Sequence, residues 1–331
     1  MDYGGRHMLK RRIKGTELEV SAISLGNGFM AGKTLEDKFD LLDDYISLGG
    51  NLVDSALIYG YDAEQGLSRS EQVIGEWMRQ RGNRGRLLVS TKGAHPYPIG
   101  NPKMRLSGKE IREDLDKSLK TLGVECIDLY WLHRDDPDRP EEDILETLTG
   151  CVDAGKIRVF GCSNWSADRM AAFNEAARKM GRNGFAASQP CFSLLEVNSE
   201  ALRPARMSGM DHASLTYHQQ TGMAAIPYSP TAGGLFAAFE RSGEDPLKTG
   251  IPANRVNYQV EGNAGRIART LQFARERGLT ATQAALAWLM AQSFPVIPII
   301  GTKNRDHLKE AAEAVEVVLT PAEAAWLADA E

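Results

Sequence analysis

The stretch that decides the fold runs from residue 127 to residue 164: IDLYWL (127–132), HRDDPDRPEED (133–143), ILETLTGCVDA (144–154), GKI (155–157), RVFG (158–161) and CSN (162–164). Ile127 to Leu132 is a short apolar run, and Arg158 to Gly161 is another. Between them, Ile144 to Ala154 carries apolar residues at helical spacing. A strand, a helix and a strand in succession predict a parallel pair crossed by a helix.

The same alternation extends in both directions. Further short apolar runs occupy Ala22 to Leu25, Asn51 to Asp54, Leu87 to Thr91, Ala186 to Ser188, Ala224 to Pro227 and Val296 to Ile299, which makes eight in all. Amphipathic stretches separate them: Leu35 to Leu48, Ser70 to Met78, Ser107 to Leu122, Ala167 to Met180, Gly265 to Arg277 and Thr282 to Ala291. Eight strands alternating with helices predict an α/β fold closed as a (β/α)8 TIM barrel, with an open doubly wound sheet as the competitor. Two runs before the first barrel strand, Leu9 to Ile13 and Glu17 to Val20, read as an N-terminal β-hairpin around Lys14-Gly15-Thr16. Glu196 to Met223 and Thr231 to Gly262 do not fit the repeat. They are expected as long loops at the C-terminal face, acting as lids or as disordered inserts. Thr320 and Pro321 predict the cap and first residue of a closing helix.

The 331 residues suit one barrel domain over 9–331, and the opening MDYGGRHM (1–8) is expected to be a disordered or vector-derived start without an apolar signal core. Net charge is -5 with both signs interspersed, so no basic stripe offers itself to nucleic acid. No apolar run is long enough for a membrane helix. Cys126, Cys151, Cys162 and Cys191 form no C-x-x-C pair and are expected as buried reduced thiols, which suits a cytoplasmic location. The six histidines show no metal-ligand spacing, so no metal is expected.

The chemistry lies at the strand ends. The second run ends in Asp54, Lys92 follows the third, the fourth leads into His133, the fifth into Ser163 and Asn164, and the sixth into Gln189. The seventh leads into Tyr228 and Ser229, and the eighth into Gly301, Thr302 and Lys303. Taken singly, each is more often a cap, a packed ring or a solvated head. In a barrel, however, polar groups at successive C-terminal strand ends converge on one mouth. Asp54, Tyr59, Lys92 and His133 then make a set suited to protonating a carbonyl oxygen as hydride reaches the carbon. An ammonium beside a phenol eases loss of its proton, Asp54 can hold Lys92, and His133 can orient the carbonyl.

Seven ordered motifs carry a resemblance across nearly the whole chain. They are NLVDSALIYG (51–60), VSTKG (89–93), DLYWLHRDD (128–136), GKIRVFGCSN (155–164), Gln189 before Pro190, Tyr228-Ser229-Pro230, and PIIGTKNRDHLKEA (298–311). In these the sequence resembles the aldo-keto reductase superfamily. The resemblance implies NADPH-dependent reduction of an aldehyde or ketone, with Tyr59 as acid, Lys92 and Asp54 tuning it, and His133 positioning the carbonyl. It further implies that Ser163, Asn164 and Gln189 hydrogen-bond the nicotinamide carboxamide and that Tyr228 stacks on the ring. Ser229, Pro230, Thr231 and the following loop would hold the pyrophosphate, and Gly301, Thr302 and Lys303 the 2'-phosphate. Phe29 and Met30 would line the pocket or face the ribose, with Tyr97, Trp131, Trp165 and Phe192 beside Phe29 at the substrate rim. Tyr217 and His218 would serve as lid residues.

Near the end the family usually has Arg or Gln, then Glu-Asn, where this sequence has His307, Glu310 and Ala311. Imidazole cannot match a guanidinium's fork on phosphate, so NADH use stays open beside NADPH. The resemblance also extends to cofactor-binding regulatory subunits like the beta subunits of potassium channels. A Schiff-base lyase using Lys92 as amine is the third reading, opposed by the Asp54 partner. The small-molecule carbonyl substrate and the oligomeric state are not specified by the sequence.

Overall fold

The computed structural model describes residues 8–97, 101, 103–243 and 255–329. The eight barrel strands are β1 (Ser24–Leu25), β2 (Leu52–Asp54), β3 (Leu88–Gly93), β4 (Ile127–Leu132), β5 (Ile157–Ser163), β6 (Ala187–Gln189), β7 (Ala224–Ala225) and β8 (Ile299–Ile300). They lie side by side in chain order, all parallel, and β8 returns to pair with β1. The ring closes where Ala225 bridges Val296 in parallel and the Ile299 N–H donates to Pro227 O at 2.9 Å. Closure leaves no strand edge exposed.

Period-two alternation then sorts the side chains. Leu52, Ser90, Trp131, Gly161 and Ala187 share one face of their strands. Two residues further on, Asp54, Lys92, His133, Ser163 and Gln189 fall on the same face at the C-terminal end. The first group faces the barrel interior. Trp131 is fully buried there and donates from Nε1 to Ser90 Oγ at 2.6 Å. Gly161 is paired with it, and a Cβ at that position would lie 2.5 Å from both the Trp131 ring and Ala187 O. Only glycine leaves room for the indole.

The N-terminal hairpin pairs Lys10–Arg12 with Glu19–Ser21. Its Ile13, Leu18 and Val20 pack with Leu52, Leu129 and Ile297, so the hairpin plugs the end of the barrel opposite the strand-end polar groups. Of the disordered or vector-derived start expected over 1–8, residues 1–7 lie outside the described residues, and Met8 departs from the expectation. Met8 is buried, and its N–H donates to Leu48 O at 3.3 Å.

The helices are α1 (Leu35–Ser47), α2 (Arg69–Arg81), α3 (Gly108–Leu122), α4 (Glu141–Asp153), α5 (Ala167–Lys179), α6 (Ser199–Leu202), α7 (His212–Thr221), α8 (Leu235–Ser242), α9 (Asn263–Arg277), α10 (Ala281–Met290), α11 (Arg305–Glu313) and α12 (Pro321–Ala328). Their starts follow capping chemistry. Thr34 with Asp37, Ser107 with Glu110, Thr280 with Gln283 and Thr320 with Glu323 form reciprocal capping boxes. The segment expected as a long loop at Glu196 to Met223 instead holds α6 and α7, and α8 lies in the second. His218, expected at a lid, is fully buried on α7. Its ring nitrogens meet Ser188 Oγ at 2.8 Å and Met223 O at 2.7 Å, which makes it a structural pin. The four cysteines are unpaired, three of them buried and Cys126 half-buried. Among the described residues no helix is long and apolar enough to cross a membrane, and no cluster of His, Cys, Asp or Glu is arranged to hold a metal ion.

Candidate active site

Strand alternation brings Asp54, Lys92 and His133 to one end of the barrel, and a turn delivers Tyr59. That turn follows β2 and is pinned by Ser68 Oγ, which donates to Ala56 O and Tyr59 O, each at 2.9 Å. Lys92 Nζ donates to Asp54 Oδ2 at 2.5 Å and to Ser55 O at 2.6 Å, and sits 4.8 Å from the centroid of the Tyr59 ring. Burial pulls the Lys92 pKa down, but the Asp54 carboxylate and the Tyr59 oxygen outweigh it and raise it above the ordinary lysine value. Lys92 is therefore an ammonium. Asp54 Oδ1 accepts from Ser90 Oγ at 2.8 Å and Gln189 Nε2 at 3.1 Å, so the carboxylate is held on both oxygens.

The His133 ring stands edge-on to Tyr59, 5.8 Å between centroids, and 4.8 Å from His95. Burial, then the charges of Arg134 and Lys92, hold its pKa well below the ordinary histidine value. It is neutral near pH 7, and its buried Nδ1 has no hydrogen-bond partner. Asn164 follows β5 in a left-handed backbone conformation (φ 65°). From there its Nδ2 donates to His133 O at 3.2 Å and Ser163 Oγ at 2.9 Å, while its Oδ1 accepts from Tyr228 OH at 2.9 Å. Ser163 Oγ donates to Gln189 O at 2.8 Å.

A cleft of about 520 Å³ starts at Asp54 and Tyr59, passes Tyr228, Ser229, Pro230 and Thr231, and ends at Gly301, Thr302, His307 and Glu310. It thus joins most of the residues expected to bind cofactor. Six expected members do not line it. Ser163, Asn164 and Gln189 stand at the strand ends, linked to one another by hydrogen bonds. Phe29 is buried in the core, Met30 lines a groove on the barrel flank, and Lys303 is exposed outside the cleft wall. Glu310 is partly engaged, accepting from Thr280 Oγ1 at 2.5 Å. Of the expected rim aromatics, Trp131, Trp165 and Phe192 are also core. Trp165 packs on Phe173 and Phe185, and Phe192 on Trp288. Tyr97 alone is half-buried, with its ring centroid 5.1 Å from that of Tyr61. The parity that puts His133 inward also puts Trp131 inward, so its place in the barrel was there to be read.

The cleft wall has residues that the sequence reading did not single out: Asn27, Arg241, Arg255 and Thr282. Asn27 Oδ1 is buried without a hydrogen-bond partner, and Gly28 beside it packs so closely on Thr302 that a Cβ would lie 2.2 Å from its carbonyl oxygen. Arg255 Nε donates to Gly233 O at 2.9 Å, in a turn where Gly233 and Gly234 both take positive φ. An orphaned side-chain carbonyl, a glycine turn and two guanidinium groups suit an extended ligand carrying phosphates and hydrogen-bonding rings. A larger groove of about 800 Å³ lies between α1, α2 and α3, but it has none of the strand-end polar groups.

Behind the site, Glu71 on α2 is fully buried against β3 and accepts from Thr91 Oγ1 at 2.6 Å. Burial pushes its pKa up to about 7 from 4.5. A carboxyl whose folded value exceeds its unfolded one contributes stability that is present below the unfolded value and lost as pH rises through the folded one. Stability is thus expected to fall between about pH 4.5 and pH 7. Glu71→Gln should flatten that slope and stabilise the protein at pH 8 by up to about 3 kcal/mol. Urea midpoints of both proteins at pH 5 and pH 8 measure this; a variant as pH-dependent as the parent would show that Glu71 is not responsible.

The sequence matches the Aldo/keto reductase family over residues 22–331. The chain belongs to that family, whose enzymes are oxidoreductases acting on small-molecule carbonyl compounds. It is 28% identical to the 6-dehydroglucose reductase of Novosphingobium aromaticivorans, over 93% of this chain and 90% of that protein. It is 30% identical to the NADP(+) aldo-keto reductase yakc of Schizosaccharomyces pombe, over 83% and 76%. Identity to the norsolorinic acid reductase of Aspergillus flavus is 29%, over 96% and 78%.

Proposed function

We propose that the protein is an NADPH-dependent reductase of aldehydes or ketones in which Tyr59 gives the proton. The observation that carries the reading is the Lys92 ammonium, clamped between Asp54 and the Tyr59 ring at the inner end of the cleft. When bound, NADPH supplies the hydride that converts carbonyl carbon to alcohol. Tyr59 donates its hydroxyl proton to the carbonyl oxygen, and Lys92 faces the phenolic oxygen on which negative charge is left. Asp54 keeps the ammonium charged and in place, and that charge rules against its acting as a free amine. His133, neutral and held by the backbone beside Gly93, offers a ring N–H to the carbonyl oxygen and so orients it.

Asn27, Ser163, Asn164, Gln189 and Tyr228 would hold the nicotinamide end, and Ser229 to Thr231 with Arg255 the pyrophosphate. Thr302 and His307 would lie toward the adenosine, with Arg241 on the facing wall and Lys303 reaching in from outside. Arg305 cannot take the 2'-phosphate in its present position, because its guanidinium is bound by Asp44 of α1. The test is fluorescence titration of purified protein with NADPH and NADH. Tighter NADPH binding is expected, and Lys303→Ala should weaken NADPH about tenfold and NADH little. Equal losses would show that Lys303 does not read the 2'-phosphate, and binding of neither nucleotide would overturn the reductase reading.

A further inference from the structure

Arg134, directly after His133, is 9% exposed. Its guanidinium donates from NH1 to His133 O at 2.8 Å and from Nε to Ala205 O at 3.3 Å. No carboxylate among the described residues pairs with it. Every other deeply buried cation of the site's surroundings has an anion: Lys92 has Asp54, and Arg169 has Asp135 and Glu141. A guanidinium carries five N–H donors, and two backbone carbonyls use only two. A buried cation without a counter-charge is costly unless a ligand supplies the charge.

Its position says where that ligand would be. The carbonyl that Arg134 shares, His133 O, is also the acceptor for Asn164, whose Oδ1 receives Tyr228 OH. Ala205 belongs to the segment after β6 that also places Ser208, whose N–H donates to Asn164 Oδ1 at 3.1 Å. The guanidinium is thus fastened into the network that frames the mouth, one residue from the group that orients the carbonyl. We propose that Arg134 is a specificity-determining residue that recognises a carboxylate carried by the carbonyl substrate, making the enzyme selective for aldehyde or keto acids over neutral carbonyl compounds. Burial lowers the guanidinium's pKa, with only Tyr228 and Tyr59 opposing, which fits a cation awaiting an anion. The proposal rests on the reductase reading, since it places the anion on that reaction's substrate.

The experiment compares kcat/KM for 3- and 4-carboxybenzaldehyde with that for their methyl esters, with NADPH, in the parent, Arg134→Met and Arg134→Lys. The acid-to-ester ratio should fall at least tenfold in Arg134→Met, through KM, and recover in part in Arg134→Lys. In the parent, added salt should raise KM for the acids and leave the esters alone, a readout that needs no variant to fold. An unchanged ratio in both variants would overturn the proposal. So would a loss confined to NADPH affinity, which would assign the guanidinium to the cofactor. If no aldehyde is reduced at all, the reductase reading fails instead. Calorimetric titration of benzoate into the NADPH-saturated parent and Arg134→Met then decides the anion site on its own: tenfold weaker binding in the variant supports it, and equal binding removes it.

Discussion

Tyr59→Phe is expected to lower kcat/KM for carbonyl reduction by roughly 10²–10⁴-fold while leaving NADPH affinity within about twofold. The phenol oxygen is the only part removed. The ring that packs against His133 and covers Lys92 stays, and Lys92 retains both Asp54 and Ser55 O as acceptors. Stability should change by no more than about 1 kcal/mol. Steady-state kinetics beside a nucleotide titration separates the outcomes. A variant with near-parental turnover would remove Tyr59 as the acid, and a parallel loss of NADPH binding would make it a cofactor-positioning residue.

Lys92→Met carries the largest combined effect. Both partners of the Lys92–Asp54 pair are almost completely buried, at 1% and 5% side-chain exposure. Removing one leaves a buried carboxylate facing an apolar chain, and breaking such a pair costs about 3–5 kcal/mol. Ser90 and Gln189 still donate to Asp54 Oδ1, which puts the expectation at the lower end. Turnover should also collapse, because no positive charge then faces the Tyr59 oxygen. The double variant Lys92→Met/Asp54→Asn separates the two effects. It should regain about 1–3 kcal/mol of stability, since the uncompensated charge is gone, yet remain as inactive as the single variant. Recovery of activity with stability would mean that Lys92 only holds the fold together.

The barrel was legible because its signal repeats. Eight apolar runs alternating with helical stretches leave few other closures, and the strand ends announce themselves through Asp54, Lys92, His133, Ser163 and Gln189. Boundaries were less legible. Lys92, Ser163 and Gln189 look like residues beyond their strands but are hydrogen-bonded members of them, since a polar side chain facing a solvated mouth does not end a strand. Helix α7 escaped because its sequence, HASLTYHQQT, is polar on most faces and its buried members Ser214 and His218 are hydrogen-bonded. Nothing local in the sequence shows that His218 meets Ser188 or that Arg255 meets Gly233, because those pairs are made only by tertiary packing. The resemblance implied a pocket role for Phe29 and Met30, whereas it is the smaller Asn27 that reaches the cleft wall.

The hairpin at the N-terminal end gives the molecule the form of a cup rather than a tube. Ile13, Leu18 and Val20 make its floor, and substrate, product, protons and water must all pass over the rim. On the proposed reading, nucleotide and carbonyl compound would share a doorway, and whichever seats deeper would arrive first and depart last. The floor can be reinforced to harden the enzyme without touching selectivity, while the rim can be rebuilt for new substrates without softening the base.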